Sequence, residues 1–193
     1  MADQSPDSAL CFPAARAIEA GRALPASPLA EEVVSLFDQL RNPLLRYVIN
    51  FGLPVQDGED IVQEVFLSLY RHLQRGRSRS NLRAWLFRVA RNLALKRRIK
   101  RSGVEQVQEE GAALLDLLTD PSPNPEDQMA SSQRRQRLMA VVKALPEQDR
   151  HCLILRSEGL RYREIAEVLD ISLGSVAFLL ERALTRLARA AQW

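Results

Sequence analysis

The sequence predicts an all-α protein of two small helical domains joined by a flexible acidic linker, the second domain ending in two short helices about a tight turn. Three observations carry that expectation. Apolar residues recur at helical spacing through most of the chain, and no run of alternating apolar and polar residues is long enough for a strand. The texture changes between Gly103 and Asp127, where there are seven acidic residues, no basic residue, and three prolines within five positions. Prolines so closely spaced exclude a helix interior, so residues 102–128 read as an extended linker. The third observation is the pattern from Gly159 to Arg189, taken up below.

In chain order, residues 1–28 carry four prolines and little periodicity, and read as a disordered tail. A first domain spans 29–101. Val33, Leu36, Phe37, Leu40, Leu44, Leu45, Val48 and Ile49 give one helical face, which Pro43 should kink or restart and Gly52-Leu53-Pro54 should end. A second helix opens near Asp57, with Ile61, Val62, Val65, Phe66, Leu69 and Leu73 on one side and Asp60, Gln63, Glu64, Ser68 and Arg71 on the other. After the polar loop RGRSRSN comes NLRAWLFRVARNLALKRRIKR, a helix that buries Leu86, Val89, Ala90 and Leu93 and turns Arg88, Arg91 and Asn92 outward.

A second domain spans 129–193. It begins with a helix from Met129, and a further helix follows with Pro146 in its first turn and Gly159 at its end. Tyr162, Ile165, Ala166 and Leu169 then form an i, i+3, i+4, i+7 stripe, and Asp170-Ile171-Ser172 breaks it. Ser172 suits an N-cap for a last helix with Val176, Leu179, Leu180, Ala183, Leu184 and Leu187 apolar and Arg182, Arg186 and Arg189 basic. This is the pattern of a helix-turn-helix, whose second helix can enter a major groove; it also suits a plain helical hairpin.

Composition narrows the function classes. The chain is 46% hydrophobic and 26% charged, ordinary for a globular protein. No apolar run approaches the ~18 residues of a membrane span, and MADQSPDS lacks the features of a secretory signal, so a cytoplasmic protein without membrane insertion is expected. The two cysteines, Cys11 and Cys152, lie far apart with no histidine partner, and His72 and His151 lie in unrelated helices. No metal site, cofactor, small-molecule substrate or catalytic residue is therefore expected, and the chain does not read as an enzyme.

Charge points elsewhere. Net charge is only +3, yet Arg83 to Arg101 holds eight basic residues and no acidic one. Cations so concentrated call for an anionic neighbour, and a nucleic-acid backbone supplies regularly spaced phosphates. Trp85 and Phe87 beside a basic, serine-rich loop suit unstacked bases, although Trp85 equally suits a core. The acidic and polar face of the second helix is poor for DNA and suits a protein partner.

EDIVQEVFLSLYRHL followed by NLRAWLFRVARNLALKRR resembles the second conserved region of bacterial sigma factors, and LPEQDRHCLILRSEGLRYREIAEVLDISLGSV resembles their fourth. Two regions with only a linker between them resemble the extracytoplasmic-function (ECF) group. The resemblance implies a transcription initiation factor that binds core RNA polymerase and directs it to promoter DNA. It implies docking on the polymerase clamp helices through Asp57, Asp60, Gln63 and Glu64. It implies melting and reading of the minus-ten element by Arg77, Ser78, Ser80, Asn81, Trp85, Arg88, Arg91 and Asn92. The minus-thirty-five duplex would meet Arg161, Ser172, Gly174, Ser175, Ala177, Phe178, Arg182 and Arg186. An anti-sigma factor is a further partner such proteins can have, and a sigma-like decoy that sequesters one without binding DNA is the alternative.

The sequence departs from that family where Ala177, Phe178 and Leu179 stand in place of a lysine, a serine and an arginine. Two cationic contacts are thus missing, leaving Arg182 and Arg186 for phosphates. Phe178, large and apolar, suits either a thymine methyl or the core. Arg161 stands where the family commonly has a serine or threonine cap.

Overall fold

The computed structural model describes residues 27–102 and 136–191, and every regular element among them is an α-helix. The expected tail, most of the expected linker, and Cys11 lie outside the described residues. Helix α1 spans Pro28–Ile49, α2 Val55–Gln74 and α3 Leu82–Ser102. After them come α4, helical over 136–144, α5 (Glu147–Ser157), α6 (Tyr162–Leu169) and α7 (Leu173–Ala191).

Local chemistry sets the helix ends. Ser27 caps α1, its hydroxyl accepting the Ala30 N–H at 3.2 Å, and Pro28 takes the first turn where its missing N–H costs nothing. The helix runs on through Pro43 instead of restarting. Leu40, Leu44, Leu45 and Val48 lie on both sides of that proline and are all buried, so tertiary packing outweighs the lost backbone bond. Gly58 brings α1 and α2 into close approach: a Cβ there would lie 2.9 Å from Leu45 Cδ1. α5 ends as expected at Gly159 (φ +86°), where the Gly159 and Leu160 N–H groups reach back to the Arg156 and Leu155 carbonyls at 3.0 and 3.1 Å, a Schellman closure.

α1, α2 and α3 form one helical group and α5, α6 and α7 the other. The expected α2 stripe is buried throughout. Within α3, Phe87 and Ala94 join Leu86 and Ala90 in the core, while Val89 and Leu93 are only half-buried. In the second group Tyr162 and Leu184, expected to be apolar contacts, are exposed, and Val168 takes a core place instead.

The two groups share one continuous core cluster. At its centre the His151 ring of α5 stacks on Phe51 at 4.2 Å and meets Tyr47 edge-on at 5.6 Å. Around it, Arg46 of α1 donates two bonds to the Glu158 carboxylate at 2.9 and 3.0 Å, and Arg98 of α3 pairs with Glu147 at 2.5 Å. Tyr47, Phe51, Asp149 and His151 are all buried. None belongs to the helical stripes read from the sequence.

Burial holds the His151 imidazole down to about 4 from its ordinary 6.5, against the pull of Glu147 and with Arg150 and Arg91 adding to the shift. The folded state therefore prefers neutral imidazole. Its contribution is complete above pH 6.5 and is lost as pH falls from there toward 4, where the unfolded chain binds the proton first. Urea titrations across that window should show wild type losing on the order of 2–3 kcal/mol more stability than His151→Gln. Parallel pH profiles for the two proteins would overturn this account of the junction.

Candidate nucleic-acid interface

Helical geometry gathers part of the expected strand-binding set. Asn81, just before α3, and Trp85, Arg88 and Asn92 within it follow i, i+4, i+7, i+11 spacing and share one side. Asn81 sits at φ +56°, a conformation asparagine tolerates better than most residues, and its carbonyl accepts the Trp85 N–H at 3.1 Å to open the helix. Trp85 packs half-buried against the core and lies 4.6 Å from the His72 ring. Arg91 stands apart from the stripe, half-buried on the side near His151.

The loop before α3 is built rather than slack. His72 Nε2 lies 3.0 Å from the Ser78 carbonyl, and the Ser78 and Ser80 hydroxyls share a hydrogen bond at 2.7 Å. Arg77 and both serines are exposed. Arg79 reaches Glu32 of α1 at 3.3 Å.

The expectation that the α3 cations lack acidic partners needs correction. Arg97 and Arg101 each donate to the Asp57 carboxylate at 2.7 Å, Arg98 takes Glu147, and Arg83 donates to the Glu158 carbonyl. These carboxylates come from other helices, which no reading of α3 by itself reveals. Arg88, Lys96 and Lys100 remain exposed.

Asp57, expected on the docking face, is likewise engaged within the fold. It is tied down between α2 and α3 with its side chain only 20% exposed. Asp60, Gln63 and Glu64 do share an exposed face. Sequence reasoning missed its continuation: Leu67, 58% exposed, and Tyr70, 37% exposed, extend the same side of α2. The available signal was their position, since both fall outside the buried stripe.

The helix-turn-helix forms as expected. Arg161 precedes α6, and its N–H donates to the Glu164 carboxylate at 2.6 Å, the glutamate half of a capping box; the hydroxyl acceptor that a serine or threonine would offer the first turn is absent. Asp170 takes the left-handed conformation at φ +57°, and Ser172 caps α7 by accepting the Ser175 N–H at 3.0 Å. Gly174, Ala177 and Phe178 are exposed, Ser175 is half-buried, and Leu179 is in the core. Arg186 is exposed as well. Arg182 is partly engaged within the fold: its Nε and Nη2 donate to Asp149 at 2.8 and 2.5 Å.

The two candidate surfaces also meet. Asn81 Nδ2 donates to Glu167 of α6 at 3.4 Å, and Asn81 and Arg161 line one open groove of about 930 Å³. Among the described residues no group of three His, Cys, Asp or Glu side chains could hold a metal ion, and no helix is long and apolar enough to cross a membrane. Cys152 is buried, which pushes its thiol up to about 11 and leaves it unreactive.

Comparison with known proteins agrees with this geometry. Residues 36–103 match the family model for sigma-70 region 2, and residues 135–187 match that for sigma-70 region 4. The chain is 35% identical over 142 residues to the ECF RNA polymerase sigma-E factor of Escherichia coli K12, covering 68% of this chain and 72% of that protein. It is 34% identical over 146 residues to the sigma-E factor of Haemophilus influenzae, covering 72% and 75%. The sigma factor RpoE, solved with the anti-sigma factor NepR from Bartonella quintana, shares the fold at a TM-score of 0.58 and 21% identity, over 84% of this chain and 97% of that one. CnrH, solved with the cytosolic domain of CnrY, does so at 0.55 and 23%, over 85% and 90%. With both conserved regions in order and about a third of the aligned residues shared with curated relatives over most of their length, the chain belongs to the extracytoplasmic-function group of the sigma-70 family.

Proposed function

We propose that this chain directs core RNA polymerase to promoters through three separate surfaces. The exposed α2 face of Asp60, Gln63, Glu64, Leu67 and Tyr70 docks on the polymerase. The loop and the α3 side carrying Asn81, Trp85, Arg88 and Asn92 hold the melted minus-ten strand. The exposed side of α7 enters the major groove of the minus-thirty-five element. The observation that carries the reading is the pairing, in one chain, of that polar and aromatic α3 side with a capped helix-turn-helix whose second helix leaves its first two turns open.

Each role follows from the chemistry available. An acidic stripe with an apolar end repels DNA and offers a protein both charge and burial. Asn81 and Arg88 can donate to bases and phosphates while Trp85 offers part of a ring for stacking. The chain acts as a regulatory factor and performs no bond chemistry of its own. Its place of work is the cytoplasm, with the chromosome and the polymerase. The domain division at about 29–101 and 129–193 fits this scheme, one domain for each promoter element.

The described arrangement has a consequence for DNA binding. One N–H of the Asn81 amide is turned toward Glu167 at 3.4 Å, and Arg83 is held at the Glu158 carbonyl. Full engagement of these groups by a strand exchanges contacts between the helical groups for contacts to DNA. RpoE and CnrH in the two solved complexes are each bound by a second protein, an anti-sigma factor in the case of RpoE, and an anti-sigma factor is the corresponding partner here. A decoy that captures such a partner without binding DNA is the second reading, favoured by the engagement of Asn81 and Arg182 in internal contacts.

Run-off transcription with core polymerase and a promoter library tests the function directly. Specific transcripts that depend on the chain support the initiation factor, and the absence of both transcript and promoter binding supports the decoy. For the docking face, Asp60→Lys combined with Glu64→Lys should weaken core binding by roughly ten-fold, about 1.4 kcal/mol, with the helical circular dichroism intact. Unchanged pull-down at low and high salt removes α2 from the interface.

For the exchange of contacts, Glu167→Ala should raise the affinity of the free chain for a single-stranded minus-ten oligonucleotide by about two- to five-fold, the worth of one exposed hydrogen bond. Fluorescence anisotropy reads this directly. An unchanged or weaker affinity means that Glu167 does not compete for Asn81.

A further inference from the structure

The first two turns of α7 carry an unusual surface for a base-reading helix. Leu173, Gly174, Ala177 and Phe178 are exposed there, the Phe178 ring at 59%. The Ser175 hydroxyl is engaged with Ser172 Oγ at 2.8 Å. No cation is free on these turns. Arg182, one turn beyond Phe178, is held by two bonds to Asp149, which is 0% exposed, and its guanidinium lies over the Phe178 ring at 5.3 Å. Asp149, Arg182 and Phe178 thus form a three-part stack that begins in the buried base of α5 and ends at the open tip of α7. A guanidinium fixed by a bidentate carboxylate is a rigid platform, and a ring resting on it keeps little freedom to fold away.

We propose that Phe178 is the specificity-determining residue of this helix and that it selects thymine in the upstream duplex by packing its ring on the C5-methyl group. The inference rests on the reading of α7 as the groove-binding helix. In the major groove, guanine is read by a pair of donors such as arginine or lysine supplies, and adenine by the amide of asparagine or glutamine. The first two turns of α7 offer neither. Thymine alone presents an apolar group at that edge, and an exposed aromatic ring is its natural complement. The side chains that would have read purines are absent from these turns, and Arg182 just beyond them is bonded to Asp149 with its guanidinium over the ring. Arg182 and Asp149 are positioning residues in this scheme, while Arg186, exposed further along the helix, meets phosphate.

The test uses holoenzyme assembled from core polymerase and the full chain. Upstream duplexes are first selected from a randomised library, and thymines opposite α7 are then replaced one at a time by deoxyuridine, which removes only the methyl group. Wild type should bind the deoxyuridine duplex about three- to five-fold more weakly at the contacted position, the worth of one buried methyl. Phe178→Ala should bind both duplexes equally, and Phe178→Leu should keep part of the discrimination. Asp149→Asn should reduce the thymine-to-uracil ratio by freeing Arg182. Since Asp149 is buried and that variant can fail to fold, the exposed Phe178 variants carry the decision. Equal binding of the two duplexes by wild type, or discrimination retained in Phe178→Ala, overturns the proposal. If scrambling the whole upstream duplex leaves binding unchanged, the groove-binding reading of α7 falls and this proposal with it. If scrambling abolishes binding while deoxyuridine is silent, only the role of Phe178 falls.

Discussion

A carboxylate taken out of water must be given hydrogen-bond donors, and in this protein arginines from neighbouring helices supply them. Three such sites fix the architecture. Asp57 joins α2 to α3 through Arg97 and Arg101, Asp149 joins α5 to α7 through Arg182, and Glu158 joins the end of α5 to α1 through Arg46. Each ties elements that are distant in sequence. Removing one partner of a buried pair typically costs about 3–5 kcal/mol, because the other charge is left without compensation. Exchanging both for apolar residues costs far less, so such pairs specify which helices meet more than they add net stability.

The Asp149 pair shows how such a constraint reaches the functional surface. Asp149 lies in the first turn of α5, where the helix dipole already favours a negative charge, and its burial demands a full partner. Arg182 meets that demand with its flat fork and turns its face to Phe178. One buried acid therefore engages a cation of α7 and holds its flat face against an exposed aromatic ring. Arginine is suited to both tasks, since a lysine ammonium would offer neither two parallel bonds nor a flat face.

The junction between the helical groups combines opposite tendencies. Tyr47, Phe51 and His151 bury aromatic surface and favour closure. The Tyr47 hydroxyl and His151 Nδ1 are buried there without hydrogen-bond partners among the described residues, which works against it. Around them, Arg98–Glu147 and Asn81–Glu167 are exposed contacts of small individual worth.

The sequence by itself determined the helices and the family. Periodicity placed the α2 stripe, Ser172 and Gly159 marked their caps, and the two conserved motifs in order identified an ECF sigma factor, because each of these signals is local along the chain. It also placed Asp60, Gln63 and Glu64 on an outer face, since one helix is enough to fix that. Tertiary structure decided which charges are free. Asp57 and Arg182 read as surface groups until the packing of α3 and α5 brought their partners within 3 Å. The same holds for Phe178, whose exposure depends on what α7 packs against, and for Tyr47 and His151, whose burial involves rings from elements distant in sequence. Contacts between residues 33 to 112 positions apart leave no periodic trace, so they become visible only when the helices are set against one another.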